Sequence, residues 1–295
     1  MTACTPLTLD TLKSHPLPPI EEGDKDSHGR LLVIAGSEQT PGSAVISAIA
    51  ALRSGCGKVS IATVQPMAAH IAMEVPEALV MSLPMDRDGG LSRSAVKHIA
   101  DRVGNYDAVV AGPGLMQNKP CSLLAKKLLE AKLCSLVLDA AMLYALPPHD
   151  DHARSAPTPI LLPHDREMAA LIGCDEEQAN REPLSCGLQC AARYGALVLV
   201  KGPQSHIVTP DGQAWNFKGG GPGLGVSGSG DALAGIIGGL LARGAEPLSA
   251  LLWGVWLHGE AGSALAEKIG PIGFLAREIP AQIPALLAKS QPSFE

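Results

Sequence analysis

Aromatic residues are scarce, at 3% of 295 positions, and basic residues are outnumbered, with 23 Lys and Arg against 29 Asp and Glu, a formal net charge of −6. A nucleic-acid partner is therefore not indicated, since it would need a basic footprint. No apolar run reaches the roughly 18 residues of a membrane span, and the N-terminal segment lacks a basic start and an apolar core, so no secretory signal is expected either. The seven cysteines (Cys4, Cys56, Cys121, Cys134, Cys174, Cys186, Cys190) lack C-x-x-C spacing. They read as reduced thiols of a cytoplasmic protein, not as a disulfide framework or a zinc site.

Glycine, by contrast, is abundant, with 32 residues, and it concentrates in 219–244, GGGPGLGVSGSGDALAGIIGGLLARG. Seven glycines fall between Gly219 and Gly230, then Asp231, then an apolar run to Arg243 that reads as a buried helix over 232–242. A glycine loop feeding a helix N-terminus leaves unpaired N–H groups and a partial positive charge aimed at one spot, which is an anion site. A P-loop would need Lys-Ser/Thr after Gly230, where Asp231-Ala232 stands. Gly223, Gly225 and Gly228 satisfy G-x-G-x-x-G, but no strand precedes them, as a dinucleotide fingerprint requires. What remains is Gly228-Ser229-Gly230-Asp231, with backbone donors for a phosphoryl group and Asp231 placed as a base. A helix-capping Asp in a glycine turn is the alternative.

Strands and helices alternate from about residue 30 to 270. Apolar runs at 31–35, 59–63, 78–82, 108–111, 136–138, 160–162 and 196–200 read as strands, and 205–208 with 214–217 as a hairpin around Asp211-Gly212. Between them lie helices at 44–54, 67–73, 94–103, 120–131 and 183–193, followed by a long helix at 248–269; 276–289, with Pro280 and Pro284, reads as broken helix. No linker divides the chain. The expectation is one α/β domain over 1–295, a doubly wound, mostly parallel sheet with helices on both faces. In such folds ligands sit beyond the strand C-termini. Gly42-Ser43, Gly112 and Gly114, Asp139, His164, Lys201 and Asp231 all follow strands or open helices. Gly112 and Gly114 fit a tight turn nearly as well, Lys201 an exposed lysine, and His164 either faces a ligand or caps a helix. His149-Asp150-Asp151-His152 reads as a solvated loop, not a metal cluster. His258, alone on its helix, reads as a satisfied interior residue.

The ordered series LLVIAGS, GSAVISAIAALRSGCG, AGPGL, LVLDA, LPHDREMAALIG, VKGPQS, PGLGVSGSGD, LAGIIGGLLARG and LHGEAG resembles the ADP/ATP-dependent NAD(P)H-hydrate dehydratases, repair enzymes of ribokinase-like fold, over about 25–288. The resemblance implies that Gly42, Ser43, Gly112, Gly114, His164 and Asp231 line the hydrated nicotinamide pocket. It implies that Lys201, Gly202, Pro203, Gln204, Ser205, Gly228, Ser229 and Gly230 hold ADP or ATP, that Mg²⁺ bridges the phosphates, and that Asp231 is the catalytic base. The hydrate's hydroxyl would be phosphorylated and phosphate then expelled, restoring NAD(P)H. It also implies a homo-oligomer, a tetramer, which the apolar helices at 44–54 and 248–269 would suit. No fused epimerase domain is expected ahead of residue 25. Ala141 and Tyr144 stand where the family has Asp and Asn, Asp165-Arg166 replaces Pro-Gly, Ser43 a usual Ala, Gly221 a usual Asn and Ser227 a usual Gly. A ribokinase-like small-molecule kinase, or a nucleotide-binding protein with weak turnover, is the alternative reading.

Overall fold

Along the strand Arg30–Ile34, Leu31 and Val33 belong to one buried cluster while Leu32 and Ile34 belong to another. Successive side chains of a strand point to opposite faces, so a strand apolar at every position must be covered on both sides. This is why the short runs without polar alternation become the centre of the sheet. The computed structural model describes residues 4–19, 24–131, 133–148 and 157–290; the 149–152 loop lies outside them.

The strands are β1 (Thr5–Pro6), β2 (Arg30–Ile34), β3 (Lys58–Val64), β4 (Leu79–Leu83), β5 (Ala108–Ala111), β6 (Ser135–Leu138), β7 (Ile160–Leu161), β8 (Leu197–Val200), β9 (Ser205–Val208) and β10 (Ala214–Phe217). They form one sheet in the order β1-β10-β9-β8-β7-β6-β5-β2-β3-β4. Among these pairings β9 alone runs antiparallel to its neighbours. The chain winds outward from β2 through β3 to β4, then returns to β5 and winds the other way. That reversal opens a crevice between β2 and β5 at their C-terminal ends.

The helices are α1 (Leu9–Lys13), α2 (Gly42–Arg53), α3 (Gln65–Glu74), α4 (Arg93–Ala100), α5 (Lys119–Ala131), α6 (Asp165–Ile172), α7 (Glu176–Arg181), α8 (Pro183–Tyr194), α9 (Ser229–Ala242), α10 (Pro247–Lys268) and α11 (Ile283–Ser290). α2, α9, α10 and α11 contribute to the cluster on one face, and α4, α5, α6 and α8 to that on the other. This is the doubly wound arrangement the sequence predicts. β1 was not foreseen. Its two residues add a parallel strand beside Trp215 and Asn216, and a segment so short carries no periodicity to read. The 276–289 segment is broken as its prolines require, into short turns at Ala276–Glu278 and Pro280–Gln282 before α11.

α9 begins three residues before the apolar run and is buried almost all round. Its interior glycines explain how. A Cβ on Gly235 would stand 2.2 Å from the Ser47 carbonyl oxygen of α2, and one on Gly238 would stand 2.2 Å from Val110 of β5. Glycine costs a helix interior about 1 kcal/mol relative to alanine. Here the close approach of two backbones and a strand outweighs that penalty. Gly235→Ala should therefore lower stability by about 2 kcal/mol, because overpacking against backbone exceeds the propensity gain. Urea denaturation reads this as a lower midpoint; an unchanged or higher midpoint would contradict the packing argument.

Candidate functional site

The site is built where strand ends meet the N-termini of α2, α6 and α9. Gly228 (φ 90°) ends the glycine loop in a left-handed conformation and starts α9 without a side-chain cap. Among the described residues no acceptor meets the Gly230 and Asp231 amides, so two donors and the helix dipole point outward together. The Ser47 hydroxyl donates to the Asp231 carbonyl (3.0 Å), fixing this turn to α2.

Asp139 directly follows β6 and is held by an unusual turn. Ala140 (φ 48°) is the one non-glycine residue in the left-handed region among those described. Such a conformation costs on the order of 1–2 kcal/mol. Gly112 (φ 126°) makes room for it, since a Cβ there would lie 1.8 Å from the Asp139 carbonyl oxygen. The Asp139 Oδ1 atom accepts from the Ala140 amide (2.8 Å) and from Lys201 Nζ (2.7 Å). Lys201 Nζ also lies 4.0 Å from Glu167 Oε2, and a Cβ on Gly230 would sit 3.8 Å from both Asp139 Oδ2 and Lys201 Nζ.

One ammonium thus serves several buried carboxylates. Burial by itself would lower the Lys201 pKa, but Asp139, Glu167 and Asp231 outweigh it and raise it. Burial raises Glu167, with Lys201 pulling it down and Asp139 pushing it up. Burial likewise raises Asp231; a hydrogen bond from Ser43 and the charge of Lys201 pull it back, while Asp139 pushes it up. The cluster carries more negative than positive charge, a condition that favours a bound cation or proton.

Of the expected pocket residues, Ser43 faces Asp231, and Gly114 packs on Ser43, where a Cβ would lie 2.7 Å from its hydroxyl. Gly42 is an open rim with nothing within 4 Å of a built Cβ. His164 caps α6: its Nδ1 accepts from the Arg166 (3.1 Å) and Glu167 (3.4 Å) amides, and the Glu167 carboxylate accepts from the His164 amide (3.0 Å). This capping box turns Glu167 back toward Lys201. The His164 side chain stays 44% exposed despite this cap.

Lys201, Gly202, Pro203, Ser205 and Gly230 line a cleft of about 770 Å³ beside the anion hole. Gln204 is exposed and does not line it, and neither does Gly228 or Ser229. The Ser229 hydroxyl is paired with His258 (3.0 Å) instead. Sequence reasoning did not place Phe217, Leu224, Leu233, Val255, His258 or Gly259 at this cleft, since nothing local marks which face of a buried helix meets a cavity. Asp139 and Glu167 did carry a signal, a carboxylate at a strand end and a His-x-x-Glu cap. Ala141 is buried; Tyr144 is only partly buried, with Glu167 among the charges acting on its phenol.

A ribokinase-like α/β protein with two free amides at the mouth of its most buried helix is the class that this fold and geometry define. Residues 31–285 match the family model described as NAD(P)H-hydrate dehydratase, and the chain belongs to that family. It is 41% identical over 281 residues to the ADP-dependent (S)-NAD(P)H-hydrate dehydratase of Xanthomonas campestris pv. campestris, covering 95% of each chain. It is 34% identical to a bifunctional NAD(P)H-hydrate repair enzyme of Moorella thermoacetica, covering 92% of this chain but 52% of that one. Among solved structures, the ADP/ATP-dependent NAD(P)H-hydrate dehydratase of Bacillus subtilis co-crystallized with ATP/Mg²⁺ superposes with a TM-score of 0.85 at 28% identity, covering 98% of this chain and 99% of that one.

His258 supplies a pH test of the geometry. Burial pushes its imidazole down from 6.5 to about 4, partly offset by the bond to the Ser229 backbone. With the folded pKa depressed, the unfolded chain binds more protons between these values. The linked stability is complete above about 6.5 and is lost as pH falls toward about 4. Thermal unfolding of wild type against His258→Gln should show a shallower acid slope in the variant over that window; parallel slopes would contradict the buried neutral ring.

Proposed function

We propose that this chain, acting as one domain, is a nucleotide-dependent dehydratase that returns hydrated NADH and NADPH to NAD(P)H. The observation that carries the reading is the placement of Asp231 at an anion hole with free backbone donors, within reach of Ser43 on one side and beside the Lys201–Asp139 pair on the other. The hydrate would occupy the rim formed by Gly42, Ser43, Gly112, Gly114 and His164. The nucleotide, ADP or ATP, would fill the cleft along Lys201–Ser205, with its terminal phosphate at the Gly230 amide.

The chemistry follows from those positions. Hydroxide is a poor leaving group and phosphate a good one. Asp231, made more basic by burial, accepts the hydroxyl proton as the oxygen attacks the terminal phosphorus and the shortened nucleotide leaves. The α9 amides and Lys201 stabilise charge on the transferring group without reorganising. The ring nitrogen lone pair then expels phosphate, and loss of a proton from the adjacent carbon restores the double bond.

Mg²⁺ fits in a limited way. Among the described residues no group of three or more His, Cys, Asp or Glu side chains forms a cage for a metal. The surplus of carboxylates around Lys201 suits a cation that arrives on the nucleotide's phosphates and is completed by Asp139 Oδ2 or Asp231. It would neutralise phosphate charge.

A small-molecule kinase would stop at the phosphoester; family membership and the relatives' activities favour going on to elimination. Seven free cysteines support a reducing, cytoplasmic setting. α2 and α10 keep partly buried apolar residues, Ile46, Ile49, Leu52 and Trp256 among them, which with exposed ones such as Met73 and Leu79 offer surface to a homo-oligomer. Light scattering at micromolar concentration should give a multiple of 30.4 kDa; a monomer mass would remove the oligomer.

The decisive assay supplies NADH hydrate with ADP or ATP and follows NADH absorbance and free phosphate together. Both should rise in step. Asp231→Asn should fold, bind nucleotide and lose turnover by ~10²–10⁴-fold, and the acidic limb of the wild-type rate should lie above the ordinary aspartate range. A phosphorylated product without NADH would establish the kinase reading, and undiminished turnover in Asp231→Asn would remove that residue as the base.

A further inference from the structure

One polar side chain interrupts the apolar wall that α10 turns toward the cleft. His258 lines it between Val255 and Gly259, with Phe217, Leu224 and Leu233 completing the lining around it. A Cβ on Gly259 would stand 2.1 Å from the Phe217 ring, so that ring lies directly on α10 beside the histidine. An apolar slot of this kind supplies affinity for a flat group but little orientation, which comes from its few polar atoms.

The imidazole is committed on one side. His258 Nε2 lies 3.0 Å from the Ser229 hydroxyl and 3.1 Å from the Ser229 carbonyl oxygen. A ring nitrogen facing a carbonyl oxygen must carry the hydrogen, which leaves the lone pair of the neutral ring on Nδ1. Among the described residues Nδ1 meets no partner. The buried side-chain atoms left without one there are Thr63 Oγ1 and His206 Nδ1. His258 Nδ1 is therefore not sealed in protein; it opens on the cleft, as a hydrogen-bond acceptor.

We propose that His258 is the positioning residue of the nucleotide site. Its Nδ1 accepts a hydrogen bond from a donor on the bound adenine nucleotide, a ribose hydroxyl or the exocyclic amine, while its Nε2 holds the first turn of α9. This assignment rests on reading the cleft as the nucleotide site. Ser229 directly precedes Gly230, whose amide is one of the two free donors of the anion hole. A nucleotide seated against Nδ1 is thereby registered to the donors that receive its terminal phosphate, through a single rigid ring. Lysine would not serve, because it has no acceptor, and a second cation beside Lys201 would be repelled. The depressed pKa of this ring keeps it neutral, and so an acceptor, at neutral pH.

The two nitrogens can be tested separately. Glutamine places its amide near the Nε2 position and keeps the clamp on Ser229; asparagine places its amide near Nδ1 and keeps the contact to the cleft. His258→Gln should bind ADP about 3- to 10-fold more weakly, the loss of one neutral hydrogen bond, with kcat within about 2-fold of wild type. His258→Asn should keep ADP affinity and the KM for the hydrate while kcat falls about 10-fold or more. In wild type, titration with 2′-deoxy-ADP, 3′-deoxy-ADP and the 6-unsubstituted purine riboside diphosphate identifies the donor. One of the three should bind about 3- to 10-fold more weakly than ADP, and His258→Gln should lose that discrimination. The wild-type series needs no variant to fold. Equal binding of all four nucleotides by wild type, or retained discrimination in His258→Gln, overturns the proposal. So does parallel loss of melting temperature, affinity and kcat in both variants, the mark of a structural histidine only. Failure of wild type to bind ADP at all sinks the cleft reading itself and this assignment with it.

Discussion

The closeness of α9 to α2 and to the sheet is the constraint on which the rest depends. A helix reaches a neighbouring backbone this nearly only where it carries no Cβ, and Gly235 and Gly239 supply two such places against α2 while Gly238 admits the Val110 side chain of β5. The approach fixes the helix along its length, so its first turn has little freedom. The free amides of Gly230 and Asp231 are held by packing four to nine residues further along the helix. Preorganised donors of this kind need no rearrangement when charge develops, which is the condition for electrostatic catalysis.

Charge imposes the second constraint. Lys201 comes from the end of β8, Asp139 from β6, Glu167 from α6 and Asp231 from α9, so four separate segments must be in register for one ammonium to serve them. The side chains of Asp139 and Glu167 are 4% and 6% exposed, and neither would tolerate burial without that partner. The strain at Ala140 and the carbonyl of Asp139 pressed against Gly112 belong to the same device, because they set the direction in which the Asp139 carboxylate points. Of the positions that depart from the resemblance, Ala141 lies close in the chain to Asp139, and Asp165-Arg166 directly precedes Glu167, while the charged members of the cluster are all present. The Ser43 hydroxyl lowers the Asp231 pKa against the effect of burial, which an alanine could not do.

Much of this was legible beforehand. The apolar strands, the glycine loop, the hairpin at Asp211-Gly212 and the prolines of 276–289 each reflect a local rule: burial on two faces, positive φ, turn chemistry, a missing amide. Asp231 could be read as a candidate base because it directly follows the loop in sequence. His164 was legible as one of two things, and its backbone partners show that it caps α6 while keeping an exposed ring edge. Met67 to Met73 and the other helices shifted by a few residues at their ends, as expected where capping competes with the apolar pattern.

The sequence by itself determined the order of the main strands and helices, the glycine turn that opens α9 at Gly228–Asp231 and the family, because these depend on residues adjacent in the chain or on motifs kept in series. Tertiary structure alone decided which side chains meet across the crevice. Lys201 reads in sequence as a lysine after a strand and becomes the shared partner of carboxylates 62 and 34 positions away. His258 reads as an interior histidine and becomes the link between the cleft and Ser229, 29 positions earlier. Such pairings are set by how helices pack on the two faces of a reversed sheet, a property of the whole chain that no local pattern encodes.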